Sequence, residues 1–171
     1  VLGVTYLYDF LVQRRPIALL SGIVLGVGSL GSLYPPYAAF CPGRPWCEDL
    51  IPSLYGYAQG HYWNVGIFKY WTLGNIPNFL FGAPVIALQI LAIRRYWNEH
   101  RALCLSNLMF LVMILCVAHV QIVIRVSGFI PLSYWYLSEE IGHGRGKGWV
   151  LYSIGWSVLG TVLYSCFLPP A

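Results

Sequence analysis

Residues 103–124 read LCLSNLMFLVMILCVAHVQIVI and contain no Asp, Glu, Lys or Arg. A helix that crosses a bilayer needs about 20 mostly apolar residues, within a range of roughly 17–25. Three more segments qualify: 17–34, closed by Pro35-Pro36; 76–93, with Pro77 near its first turn and Pro84 in its interior; and 149–168, closed by Pro169-Pro170. Charge agrees. Only 9% of the residues are charged, against about 25% in soluble domains. The expectation is an all-α, polytopic membrane protein with about four transmembrane helices and long loops on one side.

The first segment carries Gly22, Gly26, Gly28 and Gly31 with Ser21 and Ser32. Small residues at this spacing let another helix approach closely, so the span is expected inside a bundle. Residues 1–12 read equally as the tail of an earlier helix or as an interfacial segment. They lack the charged start, apolar middle and cleavage site of a signal peptide. Four spans put the connections alternately on two sides. Arg14, Arg15, Arg94, Arg95 and Arg101 crowd short connections on one side; Arg44, Lys69, Arg125, Arg145 and Lys147 are spread over two long loops on the other. Density near helix ends makes the first side cytoplasmic, which turns residues 126–148 towards the lumen.

No basic run suggests nucleic acid. Cys104, Cys116 and Cys166 lie in apolar runs as small hydrophobes. Cys41 and Cys47 flank the turn-rich PGRPW, where a disulfide forms if that side is oxidising. No clustered His or Cys completes a metal site around them. The glycine-rich GHGRGKG at 142–148 lacks the context and ending of a phosphate-binding loop and reads as a mobile connector.

A second stretch organises the rest. Residues 55–84, YGYAQGHYWNVGIFKYWTLGNIPNFLFGAP, set Tyr55, Tyr57, Tyr62, Trp63, Phe68, Tyr70 and Trp71 among Gln59, His61, Asn64 and Lys69. Rings with a polar handle favour the membrane–water boundary. A core would have to find a partner for each of those buried polar groups. The stretch therefore reads as a loop lying on a membrane face and feeding the span that follows.

Within it, YWNVGIFKYW followed by IPNFLFGAP closely resembles a hallmark segment of the GPI mannosyltransferase 2 family (PIG-V-like). The likeness extends to HVQ at 119–121 with Arg125 beyond, to Pro-x-x-Tyr-Trp at 131–135, and to the closing FLP at 167–169. The resemblance implies a GT-C-like glycosyltransferase fold in the endoplasmic reticulum membrane. It implies transfer of the second mannose, in α1,6 linkage and with inversion, from dolichyl-phosphate mannose to the GPI precursor in the lumen, leaving dolichyl phosphate. Its partners are then a lipid-linked sugar donor, the GPI precursor, membrane lipids and a small accessory membrane subunit, with no metal or other cofactor. Members of that family are much longer. The chain, residues 1–171, is accordingly expected to be the carboxy-terminal transmembrane region, with the catalytic acidic residue in a luminal loop upstream of Val1.

Candidate substrate contacts follow from both readings. Trp63, Asn64, Lys69 and Tyr70 suit a sugar ring and its hydroxyls or phosphate; the competing reading is an aromatic belt that only anchors the loop. Asn78, beside Pro77, either binds a ligand or satisfies first-turn backbone groups. Gln121 and Arg125 stand four apart and share a helix face. They reach a polyanionic headgroup, or Arg125 simply snorkels to the interface. His119 points roughly 200° from Gln121 on a continuous helix, and reads as hydrogen-bonded between helices unless the helix is broken there. Glycosyl transfer needs a base to deprotonate the acceptor hydroxyl. Glu48-Asp49 and Glu139-Glu140 read as solvated loop charge, and Asp9 falls near the cytoplasmic face. Two other classes stay open: a transporter or channel fragment, though no charged residue falls mid-span, and a non-catalytic membrane scaffold.

Overall fold

The apolar runs fold as helices, and the prolines mark starts more often than stops. A computed structural model describes residues 2–165. Helix α1 spans Leu2–Leu11, α2 Pro16–Gly31, α3 Tyr34–Phe40, α4 Leu54–Trp63, α5 Ile76–Tyr96, α6 Arg101–Cys116, α7 Ile122–Val126, α8 Pro131–Gly142 and α9 Lys147–Ser165, with no strand among the described residues. Pro16, Pro35, Pro77 and Pro131 sit in the first turns of α2, α3, α5 and α8, where a missing N–H is no loss. The sequence ends the first span at Pro35-Pro36; in the structure these residues open α3, and the apolar helical run continues to Phe40. Two runs are long and apolar enough to cross a membrane: Pro16–Phe40, 25 residues at mean hydropathy 1.8, and Leu73–Tyr96, 24 residues at 1.9. Helix α6 is a shorter apolar helix. Cys166, the FLP segment and Pro169-Pro170, where the fourth expected span closes, lie outside the described residues.

The core gathers Ala92, Ile93 and Tyr96 of α5, Cys104, Phe110, Leu111 and Ile114 of α6, Val123 of α7, and Ile130 and Leu132 at the start of α8. Helix α1 packs on α2 and α6, joined to α6 by the Thr5–Ser106 hydroxyl pair at 2.8 Å. The small-residue span is not inside this bundle. Of α2 only Ala18 is buried, and positions 26, 28 and 31 face open space. Its serines bond back to their own helix, Ser21 to the Ile17 carbonyl and Ser32 to that of Ser29.

The third expected span is broken. Helix α6 stops at Cys116, where the N–H groups of Val117 and Ala118 both turn back to the Met113 carbonyl. The chain then reverses along α6. Phe129 meets Phe110 edge-on at 5.4 Å, Trp135 meets Tyr96 at 5.9 Å, and Arg95 reaches Glu139 at 3.0 Å. Residues 126–148 are thus no loop beside the ring-rich stretch: they carry the chain to the opposite end. The reason is apolar surface. Phe129, Ile130 and Leu132 gain more against α6 than in a wet loop. Nor are Glu139 and Glu140 solvated spectators, since they pair with Arg95 and Arg145. The hydrogen bond from Arg145 holds the Glu140 carboxyl below its usual range.

The glycine-rich connector is a closed turn. The N–H groups of Arg145 and Gly146 both reach the Glu140 carbonyl, at 2.8 and 3.1 Å, and Gly144 takes φ +76, where glycine is at ease. At the same end, Gln13 and residues 98–103 line one cavity of about 390 Å³. Arg95 and Arg145 are held on the adjacent residues Glu139 and Glu140 of α8.

Gln89 and Asn107 are buried with neither amide atom hydrogen-bonded, and the buried Ser133 hydroxyl is in the same position. An unpaired buried polar group costs roughly 1–3 kcal/mol. Gln89→Met should therefore stabilise the fold by about 1 kcal/mol, read as a higher unfolding midpoint in mixed micelles.

Candidate functional site

The ring-rich stretch contains a helix and a strap. Ser53 caps α4, its Oγ accepting the Gly56 N–H at 3.0 Å. Asn64 ends α4 at φ 51, a left-handed position that Asn tolerates, and the Val65 N–H closes on the Gln59 carbonyl. Residues 65–72 then lie against the end of α6, whose last carbonyls have no partner within the helix. Gly66 N–H donates to the Val117 carbonyl at 3.2 Å, Phe68 N–H to that of Cys116 at 2.6 Å, and the Trp71 indole to that of Leu115 at 2.6 Å. This docking holds Phe68 at φ 55, a strained region for a bulky side chain. The Lys69 stem folds over Gly66, where a Cβ would stand 2.8 Å from its Cδ.

The break after α6 frees His119 to face the strap. Its Nε2 lies 2.7 Å from the Trp63 carbonyl, and because a carbonyl only accepts, Nε2 carries the hydrogen. Its ring stacks on Tyr70, 4.4 Å between centroids and 23° between planes. Asn78 donates to the Tyr70 hydroxyl oxygen at 2.8 Å, and Asn75 to the Tyr70 carbonyl at 2.8 Å. Burial pushes the Tyr70 phenol up, and the Asn78 bond partly offsets this. Tyr70 is therefore a neutral phenol near pH 7. With Asn78 on its oxygen, its own hydrogen remains to donate outward.

Of the expected contacts, Trp63, Tyr70 and Asn78 come together through His119, with Asn64 and Lys69 flanking them. Asn78 serves Tyr70, so the first-turn backbone groups of α5 are not its role. Gln121 stands at the start of α7, and Arg125 is exposed in its last turn. His119 is the member that sequence reasoning set aside. A polar residue closing an apolar run was the visible signal; the assumption of a continuous helix turned it away. The outer rings Tyr55, Tyr62, Trp63, Phe68 and Trp71 are exposed, as in a belt, while Tyr70 is half-buried. Cys41 and Cys47 form a disulfide across the loop before α4, and Glu48 and Asp49 sit exposed beside it. Among the described residues no three His, Cys, Asp or Glu side chains gather as they would around a metal ion.

The sequence that builds this helical frame and strap matches a mannosyltransferase family. A family model described as "Mannosyltransferase (PIG-V)" matches residues 7–109 and 106–171. The chain belongs to that family. It is 39% identical to GPI mannosyltransferase 2 of Kluyveromyces lactis over 99% of this chain and 47% of that protein. It is 35% identical to the protein of the same name from Yarrowia lipolytica, over 99% of this chain and 49% of the relative. For that from Saccharomyces cerevisiae the figures are 34%, 99% and 48%. The chain spans about half the length of the curated relatives it matches. No solved structure matches it. Two helices long and apolar enough to cross a bilayer, in a chain of this family, make it a membrane protein.

Proposed function

We propose that this chain is part of an enzyme that transfers the second mannose, in α1,6 linkage, from dolichyl-phosphate mannose to the GPI precursor at the luminal face of the endoplasmic reticulum. The observation that carries the reading is the cluster of Trp63, Tyr70, Asn78 and His119 at the end of α6, beside Lys69, in a chain of this family. The arginine-rich end is then cytoplasmic, and the density of Lys and Arg there supports that orientation. In this reading α2 with α3, α5, α6 and α9 are spans of a GT-C-like arrangement, and α8 returns the chain along α5 between α6 and α9.

In the reaction, an acceptor hydroxyl attacks the anomeric carbon of the donor mannose. The bond from that carbon to the phosphate oxygen breaks, and dolichyl phosphate leaves with the electron pair. Lys69 and Arg125 face the phosphate charge of the lipid substrates, and Trp63 and Tyr70 support a sugar ring. The acceptor proton goes to a carboxylate supplied outside this chain; Glu139 and Glu140 are engaged with arginines at the other end. The reading calls on no metal or cofactor.

Lys69→Ala and Arg125→Ala in the full-length protein should each lower formation of the doubly mannosylated intermediate by about tenfold, equivalent to about 1.4 kcal/mol of transition-state stabilisation. The measurement is the pattern of labelled GPI intermediates in microsomes at matched protein levels. Unchanged mannosylation in both variants removes these residues from the site.

A further inference from the structure

A second cavity, of about 260 Å³, opens between α4 and the disulfide loop. Phe40, Trp46, Tyr57 and Tyr62 line it, and Arg44 is its one charged side chain. The lining is ordered from two sides. Leu54, Tyr57, Ala58 and Tyr62 form one stripe of α4 at helical spacing. Tyr57 is held by parallel stacking on His61, 5.3 Å apart at 8°. Opposite, the Cys41–Cys47 disulfide closes the loop that carries Arg44 and Trp46, and Trp46 is almost wholly buried. Neither Glu48 nor Asp49 lines the cavity, and Arg44 has no ion pair among the described residues.

Aromatic faces, phenol hydroxyls and one guanidinium together define a narrow ligand chemistry. The C–H faces of a sugar ring lie against aromatic planes, while phenols exchange hydrogen bonds with its hydroxyls. A guanidinium pairs with a phosphate through two parallel hydrogen bonds. We propose that this cavity receives the headgroup of an anionic glycolipid, with a sugar ring against Tyr57 and Tyr62 and its phosphate on Arg44. The proposal rests on the functional reading above in taking its two lipid-linked sugars, donor and acceptor, as the sources that share this chemistry.

The test measures binding of three lipids to the full-length protein by native mass spectrometry: dolichyl-phosphate mannose, the singly mannosylated GPI precursor and phosphatidic acid. Arg44→Gln and Tyr57→Ala should each weaken one of the sugar lipids about tenfold, a change of about 1.4 kcal/mol, and Arg44→Lys should fall between. The lipid that responds identifies the source. Unaltered binding of both sugar lipids in Arg44→Gln overturns the proposal, as does phosphatidic acid binding the wild type as tightly as they do. Arg44 is exposed, so Arg44→Gln carries the test even if Tyr57→Ala fails to fold. Mannose transfer is assayed on the same preparations. A wild type that transfers no mannose, yet loses glycolipid binding in Arg44→Gln, would retire the enzymatic reading and keep the cavity. Normal transfer with indifferent binding would do the reverse.

Discussion

Leu132→Ala is expected to destabilise the protein by about 2–5 kcal/mol, the range for truncating a buried Leu where the cavity only partly collapses. Leu132 is fully buried. It lines a cavity with Leu103, Asn107 and Phe110 of α6, against which the returning chain is laid. The substitution separates two topologies cleanly. If residues 126–148 were a wet loop, Leu132 would behave as a surface position, where changes usually stay within about ±0.5 kcal/mol. Ser138→Ala, at an exposed position of the same helix, serves as the control. Unfolding in mixed micelles should show a large loss for Leu132→Ala and almost none for Ser138→Ala. Equal, small effects would mean that the chain does not fold back along α6.

That reversal also shows where the sequence was readable and where it was not. The start of α5 was legible at Ile76 because Pro77 and a sustained apolar run agree. The break at 117–121 was not, since VAHVQ contains neither Gly nor Pro. Its cause is remote: the backbone of Gly66 and Phe68 and the indole of Trp71 take the carbonyls at the end of α6. From one missed break the course of residues 126–142, which return along α5 and α6, was read as a loop. The pairing of Glu139 with Arg95 and of Glu140 with Arg145 was hidden by it. The site was half legible for the same reason. Composition alone favoured an anchoring belt and the family resemblance raised Trp63, Tyr70 and Asn78 as contacts, while His119 needed the break to face them. The first-span glycines were read through a helix–helix rule whose partner the structure does not place there.

Gly82→Leu is expected to cost about 1–3 kcal/mol of stability, the usual penalty for forcing extra methylenes into a packed crossing, and to remove most activity. Gly82 is buried where α5 passes under the broken segment. A Cβ there would lie 3.4 Å from Val123 Cγ1 and 3.5 Å from Val120 Cγ2. Alanine meets ordinary contact, and its higher helix propensity, by about 0.8–1 kcal/mol, offsets any tightness. Leucine has nowhere to go on that face without displacing Val120 and Val123. Those residues flank the start of α7, and His119 is the neighbour of Val120. Pushing the segment outward would therefore draw the His119 ring off Tyr70 and its Nε2 off the Trp63 carbonyl. The loss of mannose transfer in Gly82→Leu should exceed that in Leu132→Ala measured at the same folded fraction, because only the former moves the cluster. Gly82→Ala should match the wild type in both assays. Full transfer activity in a folded Gly82→Leu protein would show that the contact between His119 and the strap does not matter for the reaction.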